Sequence, residues 1–149
     1  MVNQAPANQP PDSAPRFTPR IAVDIGIVVA DLVRSQAFYQ DLLGLEVVAD
    51  VRTSLIGAGR MVQLQHGASR LKLIELDASP PPQTSGEIAA ANGYRYVTLL
   101  VADLAAVMAV MAAHRVTVVV PMTRLESGSD IAMVTDPDGN VVEFVQEKS

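Results

Sequence analysis

A chain of 149 residues, 49% hydrophobic and 18% charged, can bury the core of one folded domain, which excludes a disordered protein. The formal net charge is −5 and no cluster of Lys and Arg interrupts it, so nothing in the sequence would collect nucleic acid or anionic lipid. With no cysteine there is no disulfide, thiolate nucleophile or thiolate metal site.

The opening, MVNQAPANQPPDSAPRFTPR, holds Pro6, Pro10, Pro11, Pro15 and Pro19 and little to bury. It reads as a disordered tail over residues 1–20, followed by a single domain over 21–149. It has neither the basic segment nor the apolar run of a secretory signal, so a cytoplasmic location is expected. From Ile21 onward the pattern alternates. DIGIVV reads as a strand, Asp31 suits a helix N-cap, VRSQAFYQDLL reads as a helix, and Gly44 suits its left-handed end. Strands follow at about 46–54, 60–65 and 70–76, separated by the turn-forming IGAG and HGAS. DASPPPQTSGEIAAANG then serves as a connector at about 78–93.

The second half repeats this order. YVTLLV reads as a strand, Asp103 as an N-cap and AAVMAVMAAH as a helix, with strands at about 117–123, 130–135 and 141–146. Before the last strand, DPDG places Pro137 second and Gly139 fourth in a turn. Residues 97–122 are apolar, but Asp103, His114, Arg115 and Pro121 divide them into pieces too short to cross a bilayer, so no membrane partner is expected. VADL occurs at 29–32 and again at 101–104, a spacing of 72 residues (101 − 29). The chain therefore reads as an α+β protein of two modules, about 21–77 and 94–147, each a strand, a helix and three strands. The spacing of 72 pairs Asp24 with Tyr96, and aligning LIEL with VVEF pairs Glu75 with Glu143 at a spacing of 68 (143 − 75). Four polar residues in otherwise apolar strands thus stand at matched places. Phe38, Tyr39, Met108 and Met111 read as core, Asp136 and Asp138 as turn residues, and Arg60, Arg70, Arg95 and Arg124 as solvated surface.

The segments VDIGIVVADLVRSQAFYQDLLGLEVV, GYRYVTLLVADL and DPDGNVVEFVQ resemble the vicinal oxygen chelate superfamily, which includes glyoxalase I, methylmalonyl-CoA epimerase, extradiol dioxygenases and bleomycin-resistance proteins. The resemblance covers about 21–147. It implies a glyoxalase-like fold: tandem βαβββ modules whose curled eight-stranded mixed sheet surrounds a cleft. It also implies metal-ligand positions on the first and fourth strand of each module, here Asp24, Glu75, Tyr96 and Glu143. Two of these depart from the family, since Asp24 and Tyr96 stand where metal-binding members commonly have histidine. His66 and His114, at a hairpin turn and a helix end, cannot replace them.

Three carboxylates converging within about 5 Å would repel by roughly 3 kcal/mol per pair at an effective dielectric near 20. Something must compensate. One reading is a divalent cation on Asp24, Glu75 and Glu143, with all-oxygen ligation favouring Mg²⁺, Mn²⁺ or Ca²⁺ over Zn²⁺ or Ni²⁺. Glu143, or Glu75 after it, would then move a proton beside a polarised carbonyl, giving an isomerase, epimerase or lyase for a small oxygenated substrate. A metal-free enzyme would use a protonated glutamate, with Tyr96 as hydrogen-bond donor. The third reading is a non-catalytic binding or resistance protein for a drug or metabolite. A homodimer is expected, because each module has a sheet face too apolar to leave in water.

Overall fold

The computed structural model describes residues 22–82 and 87–148, so the expected tail lies outside the described residues. Eight strands form two mixed four-stranded sheets. The first comprises β1 (Ile25–Val28), β2 (Glu46–Thr53), β3 (Gly59–His66) and β4 (Ser69–Leu76), in the order β1-β4-β3-β2. The second comprises β5 (Tyr96–Leu100), β6 (Val118–Arg124), β7 (Asp130–Thr135) and β8 (Val141–Gln146), in the order β5-β8-β7-β6. In each sheet the first strand runs parallel to the fourth and the other pairs are antiparallel. This is the expected tandem βαβββ architecture. Its eight strands are divided between two hydrogen-bonded sheets, with β1 and β5 each at a sheet edge.

The helices start where the two aspartates stop the preceding strand. Asp31 accepts from Arg34 N at 3.0 Å at the start of α1 (Leu32–Gln36), and Asp103 accepts from Ala106 N at 2.9 Å at the start of α2 (Leu104–Ala113). After Gln36 the first helix widens into a π-helical segment, Ala37–Leu42, in which Leu43 N donates to Phe38 O. The neighbouring Phe38 and Tyr39 are both buried there, with their rings edge-to-face at 4.9 Å. Gly44, at φ 75°, turns the chain out in the left-handed region.

One core joins the modules. Leu71, Leu73, Val62 and Leu64 from the first sheet and Leu99, Ala132, Val142 and Phe144 from the second belong to a single buried cluster with Leu32, Phe38, Tyr39 and Met111. The turn before β8 fastens them further. Asp136 is buried and its carboxylate accepts from Asp138 N, Asn140 N, the Asn140 side chain and, at 2.8 Å, the Tyr39 hydroxyl of the other module. Burial pushes the Tyr39 hydroxyl well above its usual titration range, and the adjacent Asp136 charge adds to the effect. No helix among the described residues is long and apolar enough to cross a membrane.

Candidate functional site

Each sheet has one face covered by a helix and one without. In β4 the alternation places Leu71, Leu73 and Glu75 on the helix side and Arg70, Lys72 and Ile74 on the other. In β8 the helix side carries Val142, Phe144 and Gln146, and the other carries Val141, Glu143 and Val145. Glu75 and Glu143 therefore lie on opposite faces of their sheets.

The backbone pairing shows why. Gly26 pairs with Lys72 in the first sheet and Thr98 with Glu143 in the second. Since Gly26 and Thr98 are equivalent at a spacing of 72 (98 − 26), the counterpart of Glu143 is Lys72, at a spacing of 71 (143 − 72). The same spacing matches Glu75 to Gln146, and the two do the same work. Glu75 Oε1 accepts from Leu32 N at 3.0 Å at the start of α1, and Gln146 Oε1 accepts from Leu104 N at 2.8 Å at the start of α2. Each fills an orphan donor in the first turn of a helix. Glu75, expected as a metal ligand or a base, has its carboxylate at the start of α1 on the core side, where it caps the helix.

The other three candidates stay on the open faces. Asp24 precedes β1; its carboxylate accepts from Arg70 N at 2.9 Å and meets Lys72 Nζ at 3.5 Å. Tyr96 opens β5 and is half exposed. Glu143 Oε2 accepts from the Thr98 hydroxyl at 2.5 Å. The repulsion anticipated among three carboxylates is relieved by three separate partners: an ammonium, a helix N-terminus and a hydroxyl. Among the described residues no three His, Asp or Glu side chains stand close enough together to hold a metal ion. The donor set also fails chemically, because a cation occupies the place in the first module that a carboxylate occupies in the second. His66 ends β3 and His114 caps α2.

A cavity of about 560 Å³ runs between the edge strands β1 and β5. Its walls come from Val28 and its neighbours in β1, the connector segment 79–82 with its three prolines, Tyr94 and Tyr96, and Asp138 and Asn140 of the turn before β8. Of the residues expected to form the site, Tyr96 alone lines this cavity. Tyr94 is fully exposed at its edge. Lys72, Tyr94 and Asp138 were missed as site residues. The apolar register of RLKLIE against VVEFVQ would have shown Lys72, because it aligns the buried Leu71 and Leu73 with Val142 and Phe144.

With two βαβββ units packed through one core, an interstrand cleft, and helix-free faces carrying the polar residues, the class is that of the glyoxalase-like folds. The model of the Glyoxalase/Bleomycin resistance protein/Dioxygenase superfamily matches residues 21–144, and the chain belongs to that family. No curated protein matches the chain. Among solved structures, a glyoxalase family protein from Bacillus cereus superimposes with a TM-score of 0.75 at 18% identity, covering 91% of this chain and 100% of its own. Trypanothione-dependent glyoxalase I from Leishmania major gives 0.66 at 26% identity, covering 87% and 88%. TnmS3, an antibiotic-binding protein from Streptomyces sp. CB03234, gives 0.65 at 21% identity, covering 89% and 100%.

Proposed function

We propose that the chain is a small-molecule-binding protein that holds its ligand in the cavity between β1 and β5 without a divalent metal. The observation that carries this reading is the Asp24–Lys72 ion pair at the position equivalent to Glu143. Inserting a metal there would place a second cation beside Lys72 and break the pair that compensates Asp24. The cavity itself has the make-up of a ligand site: mostly apolar and aromatic walls with a few polar groups among them. Among proteins of similar fold, TnmS3 is an antibiotic-binding protein. The test is a titration of chelator-treated protein with a panel of polycyclic aromatic compounds, followed by heat of binding. Saturable binding that Tyr96→Ala weakens and that added Mg²⁺ or Mn²⁺ leaves unchanged supports the reading; binding only after metal is restored refutes it.

A catalytic version has one observation in its favour. The Thr98 hydroxyl fixes the Glu143 carboxylate on the same face as Tyr96, an arrangement suited to a base beside a hydrogen-bond donor for isomerase or lyase chemistry. Glu143→Gln separates the two, since loss of turnover with affinity retained marks catalysis.

A homodimer fits the same account. Val28, Tyr96 and Leu100 lie half exposed on the helix-free faces, and a second copy would cover them. Sedimentation should then give twice the chain mass; a monomer at all concentrations would contradict it.

A further inference from the structure

The groups that line the β1–β5 cavity define the chemistry of what it takes. This inference rests on the proposed binding function and goes beyond it to the ligand class. On one side stand the exposed ring of Tyr94, the half-exposed ring of Tyr96 and the proline run 80–82. Rings and prolines are stiff and flat, and they cover a planar apolar molecule at little cost in side-chain entropy.

The same cavity is lined by Asp138. Among the described residues its carboxylate has only long contacts, 3.4 Å from Ala30 N and 3.5 Å from the Ser35 hydroxyl, and no Lys or Arg pairs with it. Its neighbour Asp136 differs, with four donors closing on its two oxygens at 2.8–3.0 Å. Asp138 therefore keeps accepting capacity toward the cavity, and the fixed charge of Asp136 beside it deepens the negative potential. Arg95 also borders the cavity, but its guanidinium donates to the carbonyl oxygens of Glu87 and Ile88 at 2.8 and 2.9 Å. Asn140 uses its side-chain N–H on Asp136.

We infer that the cavity takes a planar aromatic cation, with its ring system against Tyr94, Tyr96 and the prolines and its protonated nitrogen donating to Asp138. A charge-assisted bond of this kind is roughly twice as strong as a neutral one. Face-on tyrosine also attracts a delocalised cation.

The test uses two fluorescent three-ring dyes of similar size and opposite charge, proflavine and 9-anthracenecarboxylate, followed by anisotropy on the full chain. Proflavine should bind saturably, with Asp138→Asn weakening it by about tenfold or more, as loss of a charged hydrogen-bond partner does. Tyr96→Ala should weaken it as well. Asn keeps the shape of the turn, and a melting curve checks that each variant is folded. Equal affinity for proflavine in wild type and Asp138→Asn overturns the charge assignment. Preferential binding of the carboxylate dye, weakened by Tyr96→Ala, also overturns it while leaving the binding function in place. Saturation by neither dye removes the cavity as an aromatic site and the proposed function with it.

Discussion

At the scale of single residues, what a carboxylate does here is set by its face of the sheet and its nearest donor. Glu75 was expected in a metal or acid–base site because LIEL and VVEF look alike; three residues of slip in that alignment move it to the core side, where it caps α1. Glu75→Ala should lower stability by about 1 kcal/mol, the usual worth of a helix cap, and leave ligand affinity unchanged. Urea denaturation and dye binding measure the two. Lys72→Glu gives the first module the carboxylate that the second has at the equivalent position. It puts a carboxylate beside Asp24, and Mn²⁺ affinity measured by electron paramagnetic resonance should rise by roughly tenfold or more over wild type. No rise in a folded variant would show that Lys72 is not what excludes a metal. Tyr39→Phe removes one donor from a buried carboxylate and should cost about 1–3 kcal/mol. It also carries a pH signature. Tyr39 holds its proton to higher pH in the folded state than in the unfolded chain, so its contribution is present below about pH 10 and is lost as pH rises further. The loss of stability above that pH should be shallower in Tyr39→Phe than in wild type.

At the scale of elements, the sequence was most informative where a local signal acts alone. The N-caps Asp31 and Asp103, the turn at residues 136–139 and the strands β7 and β8 fall where alternation and capping chemistry place them, because each depends on neighbours within a few residues. The π-helical segment Ala37–Leu42 was not legible. Nothing in AFYQDL marks a widened turn, and Phe38 and Tyr39 are both buried within it. The register between β4 and β8 was hidden for a related reason: equivalence across modules is written in strand pairing, not in local similarity. Asp138 was legible as a turn residue but not as a cavity wall, since β1 and the turn before β8 lie more than a hundred residues apart in the chain. Gly44 offers a direct check on the helix end. An added Cβ meets nothing within 4 Å, so Gly44→Ala should cost about 1–2 kcal/mol from the left-handed backbone alone, measured by thermal melting.

For the molecule as a whole, duplication supplies two sheets with one buried face each, and the common core binds them into a unit. The edges β1 and β5 are left facing a cavity instead of pairing with one another, and that gap is what makes room for a ligand. The helix-covered faces hold the shared core, and the helix-free faces hold the polar pairs, Asp24 with Lys72 in one module and Thr98 with Glu143 in the other. The claim on which the functional account turns is that the Lys72 ammonium compensates Asp24 where a metal would otherwise do so. Elemental analysis of protein purified without chelator measures this most directly. The account predicts divalent metal far below one ion per chain, with dye binding intact in the same sample; a stoichiometric ion that leaves only on chelation, taking ligand binding with it, would contradict it.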